Sequence, residues 1–164
     1  GMMVIFALSY NMLMGQAGLL SFGHAIFFGL GGYSAIHILN GAKTGASPVP
    51  VELVPLVAGF AGLGFAIVFG YMATRQRATA FAMITLGMGE LITVAAMMFH
   101  SFFGGEGGIP VDRVMNTSLF HVSYSSPWQV YCLVLAWAFI AAALMKLQTQ
   151  TPLGSMANAT RDNF

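Results

Sequence analysis

Long apolar stretches, each about the length of a membrane-crossing helix, recur along this chain of 164 residues. A helix needs about 20 apolar residues to cross roughly 30 Å of hydrocarbon, and its internal hydrogen bonds satisfy the backbone where lipid cannot. Charged residues make up 7% of the chain, against about 25% in soluble domains. This composition excludes an ordinary soluble enzyme, a disordered chain and a nucleic-acid-binding protein, which would carry a basic stripe. The sequence predicts an all-α, polytopic transmembrane helical bundle.

Five hydrophobic segments are predicted within a transmembrane region of residues 1–146. They cover residues 1–14, 17–39, 51–74, 78–99 and 128–146. The first is short and begins inside apolar sequence, so we expect this chain to be part of a longer protein. The second is rich in glycine, which favours a kinked, broken or re-entrant segment over a straight span. Small residues at four-residue spacing predict close helix packing, with one stripe at Ser21, Ala25 and Gly29 and another at Ala58, Gly62, Ala66 and Gly70.

The loops between the segments differ in positive charge. Four basic residues fall on one predicted side of the membrane: Arg75, Arg77, Lys146 and Arg161. Two fall on the other side, Lys43 and Arg113. Because short cytoplasmic loops carry the excess of Lys and Arg, the first side is predicted to be cytoplasmic.

Glu90 and His24 are the polar residues of greatest interest inside the predicted segments. A carboxylate at a helix centre costs about 2.5–3.5 kcal/mol on insertion scales, so Glu90 is expected to face protein or water. It could make a polar contact on a transport path or at a subunit interface, or it could be a neutral, hydrogen-bonded residue that joins two helices. His24 is expected to bond a neighbouring helix, with a His24–Glu90 proton relay as the alternative. The remaining histidines, His37, His100 and His121, are expected to be solvated residues at span ends or in loops.

Catalytic and cofactor signatures are absent from the sequence. Cys132 is the only cysteine, so no intrachain disulfide can form. No His, Cys, Asp or Glu residues have metal-ligand spacing, and no nucleophile–base grouping or nucleotide-binding loop is present. No cofactor is therefore expected.

Two polar regions carry local signals. Gly104, Gly105, Glu106, Gly107 and Gly108 form a loop after the fourth segment, which predicts either a flexible turn or a structured extracellular element. The tail of residues 147–164 predicts a short helix, since Thr151 can cap it and Pro152 suits its first position. It is either a frayed tail after the last span or a cytoplasmic helix that docks on a partner.

Four stretches, in this order, resemble the permease subunits of branched-chain amino-acid ABC transporters, the LivM-like family. The second segment carries the most specific match, at Ser21, Gly23, His24, Gly29, Gly31 and Tyr33. FAMITL followed by Glu90 is similar to a helix of the family, although Ala80 replaces an aromatic residue. GGEGGI is similar to a family loop, with Phe103 in place of threonine. The tail matches the family at Pro152, Gly154, Ala159, Arg161, Asp162 and Asn163, and departs from it at Ser155 and Phe164.

The resemblance implies a non-enzymatic permease subunit of an ATP-binding-cassette importer in the bacterial inner membrane. Its implied substrates are leucine, isoleucine and valine. Its implied partners are a second homologous permease, two cytoplasmic ATP-binding subunits that hydrolyse ATP, and a periplasmic substrate-binding protein. Residues 152–163 would be the coupling helix that docks on an ATP-binding subunit. Two alternatives stay open: a urea or short-amide permease of the same family, and an ion-coupled secondary carrier that uses His24 and Glu90.

Overall fold

The computed structural model describes residues 1–43, 49–76, 78–111, 118 and 124–161. Within those ranges the chain is helical and contains no β-strand. The helices, in chain order, are α1 (Met2–Asn11), α2 (His24–Lys43), α3 (Val54–Ala73), α4 (Ala78–Met98), α5 (His100–Phe103), α6 (Pro127–Gln150) and α7 (Pro152–Arg161). A π-helical turn, Met12–Gln16, extends α1, and 3₁₀ turns lie at Val51–Leu53 and Gly105–Gly107.

Four helical segments are long and apolar enough to cross a membrane. They are His24–Ala42, Val51–Ala73, Thr79–Met98 and Pro127–Gln150. A fifth, shorter apolar helix covers Met2–Gln16. Most large apolar side chains on their outer faces are exposed, as with Phe60, Ile67 and Leu91. This pattern suits lipid as the surrounding solvent, and it confirms the predicted all-α, polytopic bundle.

Helices α2 and α3 form the most extensive pair in the bundle. A Cβ atom at Gly31 of α2 would lie 3.3 Å from the Ala58 carbonyl oxygen of α3, and one at Gly62 would lie 3.4 Å from the Phe27 carbonyl oxygen. The two backbones approach this closely because the crossing residues are small. The predicted stripe is therefore confirmed at Ala58 and Gly62, but not at Gly70, where a Cβ atom would meet no atom within 4 Å.

The small-residue stripe predicted for the second segment does not form a close helix contact at Gly29. A Cβ atom at Gly29 would meet no atom within 4 Å. Gly31, and not Gly29, lies at the crossing with α3. The four-residue spacing marks one face of a helix correctly but does not tell which neighbouring helix packs against that face.

The remaining helices pack around this pair. Helix α1 lies against α6, α2 also contacts α4, and α7 contacts both α6 and the π-helical turn Met12–Gln16. The end of α1 and the polar C-terminal helix therefore lie at the same end of the bundle.

Candidate functional site

A non-helical segment separates α1 from α2. Helix α2 begins at His24, whereas the sequence places the beginning of this span at Ala17. Gly18 adopts a positive φ of 66°, a left-handed conformation that does not continue the helix. Ser21, a predicted site residue, is 2% exposed. The second predicted span is therefore broken at its beginning, inside the bundle.

The broken segment is attached to α4 at Thr85. The backbone N–H of Phe22 donates to Thr85 Oγ1 at 3.2 Å, and that hydroxyl donates to the Ala82 carbonyl oxygen at 3.0 Å. A Cβ atom at Gly23 would lie 2.5 Å from the Thr85 carbonyl oxygen. Only glycine allows this approach, and Thr85 itself is 3% exposed. The contact holds the loop between α1 and α2 against the middle of the bundle.

His24 joins α2 to α1. Its Nε2 atom lies 2.7 Å from Ser9 Oγ, and Ser9 Oγ donates to the Phe6 carbonyl oxygen at 2.8 Å. Because the hydroxyl has one proton and gives it to Phe6, His24 Nε2 is the donor to Ser9. The Phe6 and Tyr10 rings lie 5.4 and 5.7 Å from the imidazole. His24 thus forms an interhelical hydrogen bond, as the sequence indicated.

Glu90 faces an open groove of about 430 Å³ between α2 and α4. The apolar lining includes Ile26 from α2 and Leu86 and Ile92 from α4. Gly29 and Gly89 add no side chain, which leaves room between the helices. Among the side chains that line the groove, all of them described, Glu90 carries the only formal charge. It is the thirteenth of the 21 residues of α4, so its carboxylate lies near the middle of the span.

His24 and the Glu90 groove lie on opposite sides of α2. Ile26 and Tyr33 line the groove, and at 3.6 residues per turn they lie about 160–180° around the helix from His24. The imidazole instead bonds Ser9 of α1. The structure therefore does not bring the two members of the suggested proton relay together.

The glycine-rich loop after α4 has a defined conformation. Gly104 and Gly105 have φ of 77° and 62°, and Gly108 has φ of 65° with ψ of −175°. The region occupied by Gly108 is open essentially to glycine alone. A Cβ atom at Gly105 would lie 2.5 Å from His100 Cδ2. Glu106, within the 3₁₀ turn, is exposed.

This loop is held against the C-terminal end of α2. His37 Nε2 donates to the Phe102 carbonyl oxygen at 2.7 Å, and Asn40 Nδ2 donates to the Pro110 carbonyl oxygen at 3.3 Å. The Tyr33 ring meets the Phe103 ring edge-on at 4.9 Å. His37, expected to be a solvated residue at a span end, makes this hydrogen bond at an exposed position. The sequence carried no signal for its contact with the loop.

Glu52 forms a second polar cluster that sequence reasoning also missed. Its carboxylate Oε1 accepts hydrogen bonds from Ser118 Oγ at 2.6 Å and Tyr124 Oη at 2.9 Å. Its backbone carbonyl accepts from Trp137 Nε1 at 3.2 Å. Glu52 is 7% exposed. A carboxylate at the beginning of an otherwise uncharged apolar span was the signal that could have identified it.

The Glu52 cluster changes the ionisation of Tyr124. Burial, followed by the hydrogen bond to Glu52 and its negative charge, raises the pKa of Tyr124 above its usual value, and the Ser118 hydroxyl opposes this in part. The neutral phenol is therefore the form that the fold favours. The cluster therefore connects the beginning of α3 to α6, through Trp137, and to Ser118 and Tyr124, which precede α6 in the chain.

Helix α7 is positioned by a close approach at Gly154. Thr151 is extended between α6 and α7, and Pro152 is the first residue of α7. A Cβ atom at Gly154 would lie 2.8 Å from the Thr149 carbonyl oxygen and 2.9 Å from that of Gln148. Gly154 is buried, whereas Pro152 and Ala159 are exposed.

The predicted coupling residues thus have different positions. Gly154 faces α6, and the exposed face of α7 contains Pro152, Ser155, Met156 and Ala159, which are spaced i, i+3, i+4 and i+7. Asp162 and Asn163, together with the side chain of Arg161, lie outside the part of the chain that the structure describes. The basic residues Arg77 and Arg113, used for orientation, also lie outside it.

Fold and site together define a polytopic α-helical membrane protein with a broken span and a carboxylate between two helices. The family model described as branched-chain amino acid transport system / permease component matches residues 1–164. The chain belongs to this family.

Two relatives extend the comparison. The chain is similar to the "High-affinity branched-chain amino acid transport system permease protein LivM" of Salmonella typhimurium, with 28% identity over 122 residues. It is similar to the protein of the same name from Escherichia coli, with 27% identity over 122 residues. Each match covers 74% of this chain and 27% of the relative. No solved structure gives a significant match.

Proposed function

We propose that this chain is part of a permease subunit of an ATP-binding-cassette importer that moves leucine, isoleucine and valine across the bacterial inner membrane. The family match over residues 1–164 carries this proposal. The four apolar helices provide the spans that such a subunit needs. The names of the two relatives support branched-chain amino acids as the cargo, in preference to urea or short amides.

The proposed assembly contains a second homologous permease, two cytoplasmic ATP-binding subunits and a periplasmic binding protein. ATP hydrolysis belongs to the ATP-binding subunits, so this chain is a transport subunit and not an enzyme. Arg75 follows α3 and Lys146 lies near the end of α6, which favours a cytoplasmic location for α7. The glycine-rich loop Gly104–Gly108 then lies on the periplasmic side.

Residues 147–164 form the proposed coupling segment, and residues 1–146 form the transmembrane region. The exposed face of α7, with Met156 at 66% exposure, is suited to a groove on the ATP-binding subunit. Helix α7 also contacts the π-helical turn Met12–Gln16. That turn leads into the broken segment, which is attached to α4 at Thr85. A movement of α7 can therefore be transmitted to α4 through elements that contact one another.

Ser21, His24 and Glu90 are the proposed residues of the translocation region, in two different roles. Glu90 lines the groove between α2 and α4. Ser21 is buried in the broken segment, and His24, which bonds Ser9, attaches the beginning of α2 to α1. The separation of His24 from the groove favours this reading over an ion-coupled carrier.

The test is the ATPase activity of the complete transporter in lipid nanodiscs, with its binding protein and one candidate cargo at a time. Stimulation by leucine, isoleucine or valine is the expected result. Stimulation by urea alone would replace the cargo and keep the importer. A chain that does not co-purify with ATP-binding subunits would contradict the importer itself.

A further inference from the structure

We propose that the Glu90 groove recognises the ammonium group of the transported amino acid, with the Glu90 carboxylate as its binding partner. This inference rests on the proposed function and names how its cargo is recognised. Three observations support it: the position of the only formal charge in the groove, the apolar walls around that charge, and the size of the space.

The charge of Glu90 is complementary to a cationic ligand. Glu90 lies near the middle of α4 and is exposed to the groove. Most of the side chains that line the groove with it are apolar, such as Ile26 and Leu86, and the others that carry a polar group are Tyr33 and Thr93. An ionised carboxylate in such a place is costly unless water or a cation reaches it. Nothing basic lines the groove, all of whose lining residues are described. An ammonium group supplies both the opposite charge and three N–H donors.

The walls suit the rest of the substrate. The groove, of about 430 Å³, lies within the range of roughly 300–1,000 Å³ typical of small-molecule sites. Leu86 and Ile92 of α4 and Ile26 of α2 provide branched aliphatic contacts. A solute with an ammonium group and a branched aliphatic chain matches both features, whereas urea has no ammonium group.

Lipid and a helix of the partner permease are the other possible occupants of this open groove. Acyl chains offer no partner for the carboxylate. A partner helix would have to bring a basic residue to the middle of the membrane. Charge complementarity therefore favours the zwitterionic amino acid, and the experiment separates the three occupants.

The experiment compares wild type, Glu90→Gln and Glu90→Asp in the complete transporter, reconstituted with its partner permease and ATP-binding subunits. Binding of radiolabelled leucine is measured with two competitors. One is 3-methylbutylamine, which keeps the ammonium group and lacks the carboxylate. The other is 4-methylpentanoate, which lacks the ammonium group. Uptake per ATP hydrolysed is measured in proteoliposomes with the binding protein in excess.

We expect Glu90→Gln to weaken binding of leucine and of 3-methylbutylamine by about 10- to 100-fold, as for loss of a hydrogen bond to a charged group. Competition by 4-methylpentanoate stays as in wild type, and Glu90→Asp recovers most of the leucine binding. Leucine uptake per ATP hydrolysed falls about tenfold or more in Glu90→Gln.

Leucine binding and uptake that are unchanged in Glu90→Gln would overturn the ammonium site and leave the importer standing. Loss of the partner permease on purification of Glu90→Gln would also overturn it, since Glu90 would then be a subunit contact. Unchanged leucine uptake together with altered lipid binding would assign the groove to lipid. A wild-type transporter that moves urea and not leucine would overturn the proposed cargo as well, because urea carries no ammonium group.

Discussion

Replacing Gly154 with alanine tests whether the position of α7 couples ATP hydrolysis to transport. The new Cβ atom would lie 2.8 and 2.9 Å from two backbone carbonyl oxygens at the end of α6, where ordinary contact begins at 3.4 Å. Helix α7 must therefore move by about 0.5–0.6 Å, since backbone atoms cannot rotate away as a side chain can. A small shift at its first turn displaces the rest of this ten-residue helix.

The expected cost follows from two opposing effects. Forcing an extra carbon into a packed contact costs about 1–3 kcal/mol. Alanine favours helix over glycine by up to about 1 kcal/mol, and less in a first turn. The net destabilisation of the docked α7 is about 1–2 kcal/mol, which corresponds to a decrease of about 5- to 30-fold in its population.

The assay is substrate-stimulated ATP hydrolysis by the complete transporter, with co-purification of the ATP-binding subunits measured in parallel. We expect reduced stimulation with the subunits still bound. Gly64→Ala is the matched control, because a Cβ atom at this helical glycine would meet no atom within 4 Å. Wild-type stimulation in Gly154→Ala would refute the argument, as would an equal loss in Gly64→Ala.

Two further predictions concern the contacts between distant parts of the chain. Gly23→Ala places a Cβ atom 2.5 Å from the Thr85 carbonyl oxygen, so it should destabilise the transporter by about 1–3 kcal/mol in thermal unfolding. Gly32→Ala is the control and should not destabilise it, because the space at that position is open. Equal melting temperatures for the two variants would contradict the contact between Gly23 and Thr85. For Tyr124, a raised pKa means that its stabilising effect is present below its usual pKa of 10.0 and is lost as the pH rises above it. Tyr124→Phe should therefore be less stable than wild type at pH 8, by about 0.5–1.5 kcal/mol for the bond to Glu52; a difference that grows with alkaline pH, instead of shrinking, would show the opposite sign.

The sequence predicted the membrane helices well because the signal is local. About 20 apolar residues without charge define a span whatever they later contact. The end of α3 at Ala73 and the beginning of α4 at Ala78 lie within one residue of the limits predicted for those segments. Lipid solvates every outer face alike, so composition alone identifies these elements.

The candidate site was harder to predict because its geometry depends on pairs far apart in the chain. Phe22 bonds Thr85 across 63 residues, and Glu52 bonds Tyr124 across 72. The spacing of apolar residues along a sequence does not indicate hydrogen bonds between residues so far apart. The sequence marked Glu90 as a polar residue within a span, but it could not tell that the groove beside it excludes His24.

What the sequence by itself determined is the class of protein: an all-α membrane bundle with a polar helix after its last predicted span. Hydrophobicity decides this, residue by residue, through the cost of placing polar groups in lipid. What only the tertiary structure decided is where the second span breaks, just before His24, together with the face of α2 that meets each neighbour and the inward position of Gly154. These depend on how closely backbones approach one another, which is a property of packed helices and not of any one segment.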